Sequence, residues 1–262
     1  MINKVQKHEQ EVVLDILRQD PSRSMFIYGD ILQNGWETDY QEVWIDRSIK
    51  GIDAIYLRYH KNLVIYAIHA IEDIEALKTF IHGLPIQFLS GCKKHLELLG
   101  LDTLEPFKFR EMYFCECQEL MNTVTNKQVI MAEPKHAKAI AEAIIQISEF
   151  AEMTSLEERI ERITERLSSG KGRAAIIIDG DKVIAHANTA VETDNAVMVG
   201  AVLTLPAYRN QGLASQVVST LTKHCLDDGK IPCLFYDNPK AGSIYHRLGY
   251  VTFDTWMMGT KL

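Results

Sequence analysis

The sequence predicts an α+β fold in which helices pack on mixed β-sheets and the chain forms two domains. Three observations predict it. The chain has 262 residues, 47% of them hydrophobic, which is enough for two modest cores. Strand-like runs alternate with helix-like apolar stripes in both halves. A polar junction at 118–126 lies between two strand candidates. We therefore expect one domain over 1–120 and a second over 121–262.

The first half of the chain follows a regular order of strand and helix patterns. Pro21 interrupts an initial helical stripe, and Gly51 marks a turn between strand candidates. The spacing predicts an antiparallel meander followed by helix, strand, helix and strand. The predicted elements are a helix at 3–18, strands at 42–46, 53–60 and 63–69, a helix at 73–82, a strand at 85–89, a helix at 91–99 and a strand at 107–117.

The second half begins with the same kind of pattern. Pro134 suits the start of a helix, where the missing N–H of proline is not needed. Ser155 and Glu158 have the spacing of a capping box, which predicts another helix that Gly170 ends. The predicted strands of this part are a short one at 129–131 and a hairpin formed by 173–178 and 182–191.

The stretch 197–216 joins a strand to a helix through a turn of small residues. Pro206 ends the strand because proline cannot donate to a β-ladder. Apolar residues then recur every four positions, the stripe of an amphipathic helix. Gly212 and Ala214 leave room for a ligand to approach the backbone at the helix start. Because the N–H groups and dipole at a helix start favour anions, this turn predicts a phosphate-binding site.

Two motifs resemble the GNAT superfamily of N-acetyltransferases. Arg209-x-x-Gly212-x-Ala214, after a strand that ends V-x-T-x-P, resembles the loop that holds the pyrophosphate of acetyl-CoA in that family. A strand at 231–236 then leads into a second family pattern, N-x-x-A-x-x-x-Y-x-x-x-G-aromatic. Its positions are filled by Asn238, Ala241, Tyr245, Gly249 and Tyr250. Both motifs have the family's order and spacing, and the resemblance covers 128–262.

The resemblance implies the acyl-CoA N-acyltransferase (GNAT) fold for the second domain. The first half has the same predicted element order but lacks both motifs. It is interpreted as a degenerate copy of the GNAT fold, or a related α/β domain, that has lost cofactor binding. The chain would then be tandem GNAT-like. An unrelated α+β domain remains the alternative for this half.

The resemblance also implies which residues hold acetyl-CoA as co-substrate. The strand before the turn would hold the pantetheine arm and the acyl carbonyl at a bulge, and the turn would hold the pyrophosphate. The implied cofactor-binding residues are Val202, Leu203, Thr204, Arg209, Asn210, Gln211, Gly212, Leu213, Ala214, Ser215, Asn238 and Tyr245. A surface role for Arg209 and a helix-capping role for Asn238 remain alternatives.

Two residues are catalytic candidates. Tyr245 lies where the family often has the general acid for the CoA sulfur, and a phenol is neutral at pH 7 and able to donate a proton. The alternative is a packed helix tyrosine. The resemblance names no general base. Glu192 is the first candidate because it lies near a predicted acceptor entrance, although an exposed turn carboxylate would look the same.

The function that follows is an acyl-CoA-dependent N-acetyltransferase. It would transfer the acetyl group of acetyl-CoA to the amine of a small-molecule or peptide acceptor, with a small acceptor favoured. The alternative is a non-catalytic protein that binds acyl-CoA and senses it. An intact turn and Tyr245 favour catalysis.

Composition restricts the remaining classes. A formal net charge of −7 argues against a nucleic-acid partner, which needs a basic face. The sequence has no apolar run of about 20 residues and no signal-peptide core, so a membrane location is not expected. Its five scattered cysteines suit free thiols in the cytoplasm, and no metal-ligand cluster is expected. A homodimer is left open.

Overall fold

The structure is a computed structural model that describes residues 2–122, 128–147 and 155–262. The chain divides into two compact units that are not two contiguous halves. Unit 1 comprises Met1–Cys115, Phe235–Asp237 and Thr252–Leu262, and unit 2 comprises Glu116–Leu234 and Asn238–Val251. The predicted boundary at 120/121 lies close to the first passage of the chain from unit 1 to unit 2.

Unit 1 contains a sheet with the strand order β1-β2-β3-β4-β5-β12-β6. Its pairs are antiparallel from β1 to β4, and β4 and β5 run parallel. The elements are β1 (Asn3–Lys4), α1 (Gln10–Gln19), α2 (Pro21–Asn34), β2 (Gln41–Ser48), β3 (Gly51–Tyr59), β4 (Asn62–Ala67), α3 (Ile74–Gly83), β5 (Phe88–Cys92), α4 (Lys93–Leu98), β6 (Phe107–Glu116) and β12 (Val251–Lys261).

The start of unit 1 differs from the sequence prediction. The sequence predicts a helix over 3–18, but Asn3–Lys4 forms a strand that pairs with β2, and α1 begins only at Gln10. Pro21 does not simply end a helix: it is the first residue of α2, where Asp20 caps the helix by accepting a hydrogen bond from Arg23 N–H. A proline is tolerated there because the first-turn N–H has no partner inside the helix.

The last strand of the chain belongs to unit 1. β12 pairs antiparallel with β5, with Trp256 opposite Cys92 and Thr260 opposite Phe88. Met257 is 3% exposed and lies in the hydrophobic core that Tyr56 and Leu77 form. Residues near the C-terminus therefore complete the sheet that the N-terminal part of the chain begins.

Unit 2 contains a sheet with the strand order β11-β10-β9-β8-β7. All its pairs are antiparallel except that of β10 with β11, which is parallel. The elements are β7 (Val129–Met131), α5 (Ala137–Ile145), α6 (Leu156–Ser169), β8 (Ala174–Asp179), β9 (Lys182–Glu192), β10 (Ala196–Thr204), α7 (Leu213–Asp227), β11 (Ile231–Tyr236) and α8 (Pro239–Leu248).

The two parts of the chain repeat one order of elements. A strand, two helices, a three-stranded meander, a helix, a strand, a helix and a final strand run from β1 to β6, and again from β7 to β12. The parallel pair after the meander also repeats, as β4 with β5 and as β10 with β11. The predicted α+β fold with mixed sheets is confirmed. Within the described residues, no helix has both the length and the apolar character needed to cross a membrane.

Candidate active site

Strands β10 and β11 of unit 2 pair over only part of their length. Their register joins Ala196–Met198 to Ile231–Cys233, while β10 continues to Thr204. The register of β10 with β9 shifts between Gly200 and Leu203, which marks a β-bulge. Ala201, inside this bulge, has a φ of +44°, a region that non-glycine residues rarely adopt. The ladder with β9 is therefore interrupted at Ala201 and Val202 and resumes at Leu203 and Thr204.

The turn after β10 leads into α7 through left-handed backbone. Asn210 and Gly212 have φ values of +63° and +73°. Gly212 is the N-cap of α7 and has no side chain that could cap the helix. No acidic residue lies in its first turn, and a Cβ built on Gly212 would have no atom within 4 Å. The start of α7 thus offers N–H groups and open space, as anion binding requires.

A cavity of about 500 Å³ lies at this helix start, within the size range of ligand pockets. We call it the α7 cavity. It is lined by Ile147, Val202, Leu203, Thr204, Tyr208, Arg209, Asn210, Gly212, Leu213, Ala214, Ser215, Ala241, Ile244, Tyr245 and Arg247. The structure therefore brings together the end of β10, the turn, the first residues of α7 and one side of α8.

The charge of the α7 cavity is positive. Arg209 and Arg247 are its charged lining residues, and the described lining includes no carboxylate and no imidazole. The Arg209 Nε lies 3.3 Å from the carbonyl oxygen of Thr204 and donates to it, which folds this side chain back toward β10. The Thr204 hydroxyl is buried and has no hydrogen-bond partner among the described residues. Because buried polar groups are normally paired, an unpaired hydroxyl in a cavity wall fits a site for a polar ligand.

Of the twelve residues predicted to bind the cofactor, two do not line the α7 cavity. Gln211 is exposed. The Asn238 side chain accepts a hydrogen bond from the backbone N–H of Lys240 at 2.9 Å, so it caps α8. Tyr208 and Arg247 line the cavity but were not predicted. The only signal for them in the sequence is their position: Tyr208 precedes Arg209, and Arg247 is two residues after Tyr245.

Tyr245 lines the α7 cavity from α8 although only 7% of the residue is exposed. Its ring lies edge-to-face against Tyr250, with 6.0 Å between ring centroids. Gly249 ends α8 at a φ of +103°, and a Cβ there would come within 2.3 Å of the Glu119 carbonyl oxygen. The glycine of the second motif thus permits a close backbone approach, while its tyrosine faces the cavity.

The profile of the GNAT acetyltransferase family matches residues 114–258, which is more than half of the chain. This chain belongs to the GNAT acetyltransferase family. The predicted resemblance is confirmed. Members of the family are acyl-CoA-dependent acetyltransferases, so acetyl transfer is the general chemistry associated with this chain.

Solved structures share the fold over nearly the whole GNAT chain. Their sequence identities to it are low, so the likeness shows the fold and not the function. An acetyltransferase from the GNAT family of Colwellia psychrerythraea has a TM-score of 0.64 and 13% identity, with 100% of both chains covered. A GCN5-related N-acetyltransferase-like protein from Streptococcus suis has a TM-score of 0.58 and 14% identity, covering 97% of this chain and 99% of that one.

A third solved structure is a tandem GNAT protein from the clavulanic acid biosynthesis pathway. It has a TM-score of 0.61 and 11% identity, covering 99% of this chain and 97% of that one. The tandem arrangement of two GNAT-like folds therefore extends over both parts of the present chain. The comparison with curated protein sequences gives no match.

In unit 1 of this GNAT chain, the helix that corresponds to α7 has a chemically different N-terminus. Element order makes α3 the counterpart of α7. Asp73 caps α3 by accepting a hydrogen bond from the backbone N–H of Ala76 at 2.9 Å, and Glu75 lies in the first turn. A carboxylate thus already occupies the helix start where an anion would bind, and it would repel a phosphate group. That the first half of the chain has lost cofactor binding stays a prediction.

Glu192 lies away from the α7 cavity and is held by cations. Its carboxylate accepts hydrogen bonds from Arg173 at 2.9 and 3.1 Å, Lys230 at 3.1 Å and Thr189 at 2.7 Å. Burial raises the pKa of this carboxyl, but the hydrogen bonds from Arg173, Thr189 and Lys230 outweigh burial and lower the pKa below its ordinary value. The geometry favours a structural role for Glu192 over that of a general base.

Replacing Glu192 by Gln should therefore destabilise the protein without affecting cofactor binding. At pH 7 the change removes the anion that Arg173 and Lys230 share, so that Arg173 keeps only its ion pair with Asp228. We expect a loss of about 1–3 kcal/mol in the free energy of unfolding. Because the folded pKa of Glu192 lies below its ordinary value of 4.5, the stabilisation is present above pH 4.5 and is lost as the pH falls through the folded pKa.

Thermal unfolding across pH tests this expectation. The difference in Tm between the wild type and Glu192→Gln should be largest near neutral pH and should shrink below about pH 4.5. Glu161, an exposed residue of α6, provides the control, and Glu161→Gln should leave the Tm almost unchanged. A difference in Tm that stays constant from pH 7 to pH 3 would contradict the assignment.

Among the described residues, no group of three or more His, Cys, Asp or Glu side chains is arranged to hold a metal ion.

Proposed function

We propose that unit 2 binds acetyl-CoA in the α7 cavity and transfers its acetyl group to the amine of a small acceptor. Bound acetyl-CoA would supply the acetyl thioester. The observation that carries the proposal is the α7 helix start itself. Its N-cap residue is a glycine, which has no side chain to cap the helix, and its first turn has no acidic residue. It opens into a cavity whose charged lining residues are Arg209 and Arg247.

The turn and the first residues of α7 are proposed to hold the pyrophosphate. The backbone N–H groups from Gly212 to Ser215 lie at the start of α7, where the helix dipole favours an anion. Arg209 and Arg247 would add positive charge, and a guanidinium is the cation best suited to binding phosphate oxygens. The missing side chain of Gly212 leaves that approach open.

The end of β10 is proposed to hold the acyl arm. Val202, in the bulge, and Leu203 and Thr204, which follow it, line the α7 cavity. Their peptide groups and the unpaired Thr204 hydroxyl can hydrogen-bond a pantetheine amide or the acyl carbonyl. Holding the reacting groups in one geometry is itself a large contribution to catalysis.

Tyr245 is proposed to protonate the departing sulfur. In the transfer, a bond forms between the acceptor nitrogen and the acetyl carbon, and the bond between that carbon and sulfur breaks. The phenol of Tyr245 gives its proton to the thiolate and regains one from solvent. The acceptor amine loses its proton to water, because no described residue lining the α7 cavity is a carboxylate or an imidazole. The net charge of −7 favours a cationic acceptor.

Release of the CoA thiol tests the proposal. We expect acceptor-dependent thiol release when the purified chain is mixed with acetyl-CoA and a panel of alkyl amines, aryl amines, amino acids and short peptides. Mass spectrometry should show one acetyl group added to the consumed amine. Reactions without amine, and without protein, provide the controls. If acetyl-CoA binds but no amine in the panel promotes thiol release, the sensing alternative replaces the proposed transfer.

A further inference from the structure

At the bulge, β10 has one residue more than the facing segment of β9. Gly200 is opposite Asn188 and Leu203 is opposite His186, so Ala201 and Val202 have no partner in the register with β9. Ala201 also has a φ of +44°. A bulge turns peptide groups away from their regular partners, and each buried carbonyl that leaves the ladder needs another donor.

His186 supplies that donor. Its Nδ1 lies 2.8 Å from the carbonyl oxygen of Ala201. Since a carbonyl oxygen can only accept, this nitrogen must carry the hydrogen. The residue is 1% exposed, and burial lowers the pKa of His186 to about 4, so the imidazole is neutral at pH 7. The neutral ring therefore holds its proton on Nδ1 and donates it to the bulge.

The position itself does not otherwise require a histidine. His186 is in the middle of β9, between Ile176 of β8 and Leu203 of β10. A buried imidazole among such neighbours costs desolvation free energy unless it is hydrogen-bonded, whereas a leucine would fit the apolar surroundings. The partner of this polar group is the carbonyl of Ala201 in the bulge, directly before Val202, the first residue of β10 that lines the α7 cavity.

We infer that His186 is a positioning residue: its Nδ1–H holds the carbonyl of Ala201 and so fixes the direction in which Val202 to Thr204 enter the α7 cavity. This inference rests on the proposed function, because it assigns His186 to the binding of the acyl arm. His186 does not line the α7 cavity, so it acts through the backbone of β10.

Two substitutions at this position separate positioning from packing. His186→Asn keeps an N–H donor on the atom that corresponds to Nδ1. His186→Leu removes the donor and places an apolar side chain in the same buried position. We expect His186→Leu to raise the Kd for acetyl-CoA and lower kcat/KM, each by at least about tenfold, because displacing reacting groups by 1 Å can cost about 10²-fold. His186→Asn should stay within about threefold of the wild type, since it keeps the donor.

Thr222→Val is the matched control. Thr222 is fully buried and shares a hydrogen bond of 2.7 Å with the Tyr250 hydroxyl, away from the bulge. This variant should lower the Tm but leave the Kd for acetyl-CoA unchanged. If His186→Leu also lowers only the Tm, or if His186→Leu and His186→Asn bind acetyl-CoA equally, the positioning role is overturned.

The tautomer of His186 gives a readout that needs no ligand. Long-range ¹H–¹⁵N spectra of the histidine rings should show a neutral His186 with its proton on Nδ1 from pH 5 to pH 8, and the His186→Asn spectrum identifies the signal. A proton on Nε2 would overturn the inference. Failure of the proposed function would look different, since the wild type itself would then not bind acetyl-CoA.

Discussion

Tyr245→Phe is expected to lower kcat for acetyl transfer by roughly 10²-fold, the contribution of a typical general acid. The change removes the proton donor but keeps the ring that packs edge-to-face against Tyr250. The KM for acetyl-CoA should change little, because most of the binding contacts are proposed to lie at the start of α7 and the end of β10. A lower kcat at constant KM indicates an interaction made mainly in the transition state.

The acidity of the leaving thiol provides an internal test of this role. A more acidic thiol forms a more stable thiolate and needs less help from a proton donor. The loss caused by Tyr245→Phe should therefore be smaller with acetyl thioesters of more acidic thiols. These rates need conditions in which the chemical step, and not product release, limits turnover.

Tyr250→Phe is the control for Tyr245→Phe. The substitution is the same and the two rings are neighbours, but Tyr250 is 1% exposed and its hydroxyl is hydrogen-bonded to Thr222. Losing that buried hydrogen bond should lower stability by about 1–3 kcal/mol and leave kcat almost unchanged. Equal kcat values for wild type and Tyr245→Phe would show that Tyr245 only packs.

Gly212→Glu is expected to abolish the stabilisation of the protein by acetyl-CoA. The open space at Gly212 is the proposed approach of the pyrophosphate, and a glutamate there would fill that space with a negative charge. In the wild type, acetyl-CoA at 100 times its Kd should add about 2.7 kcal/mol of stability. Thermal unfolding with and without acetyl-CoA measures this difference as a shift in Tm.

Gly229 at the other end of α7 provides a matched control. It has the same φ of +73°, and the space that a side chain would enter there is equally open, so Gly229→Glu carries the same backbone cost. It is not among the residues that line the α7 cavity. Gly229→Glu should therefore keep the full Tm shift with acetyl-CoA. A Tm shift of normal size in folded Gly212→Glu would remove the turn from the proposed binding site.

Local patterns were enough to predict the turn and the helix that form the α7 cavity. The hydrophobic period, the small residues and the spacing of the motifs are all properties of residues close together in the sequence. The four-residue spacing also indicates which side of α7 is buried, and the structure buries Leu213, Val217, Leu221 and Cys225. Pro206 ends the strand region as expected, because β10 stops at Thr204.

Long-range pairing could not be predicted in the same way. The sequence analysis predicts no strand over Val251–Lys261, and no local pattern shows that the partner of β12 is β5, more than 150 residues earlier in the chain. At the other end of the chain, Asn3–Lys4 is too short to show an alternating pattern and is a strand only because it pairs with β2. The choice of partner depends on tertiary packing, which single-sequence periodicity does not contain.

The roles of Glu192 and His186 could not be predicted either, because they depend on partners that are distant in the sequence. Glu192 could be placed near a turn, but its partners Arg173 and Lys230 are 19 and 38 residues away. His186 could be recognised as a mid-strand histidine, whereas its bond to Ala201 depends on a bulge that no local pattern marks. The chemistry of such residues follows from what the fold places beside them.

Calorimetric titration of acetyl-CoA into the full chain tests the central claim most directly, because it reports the number of sites, and the two glycine variants then report their location. The account predicts one site per chain, retained in Gly229→Glu and lost in Gly212→Glu, since the α7 start is open to an anion and the α3 start is occupied by Asp73. Two sites per chain, or unchanged affinity in Gly212→Glu, would contradict it.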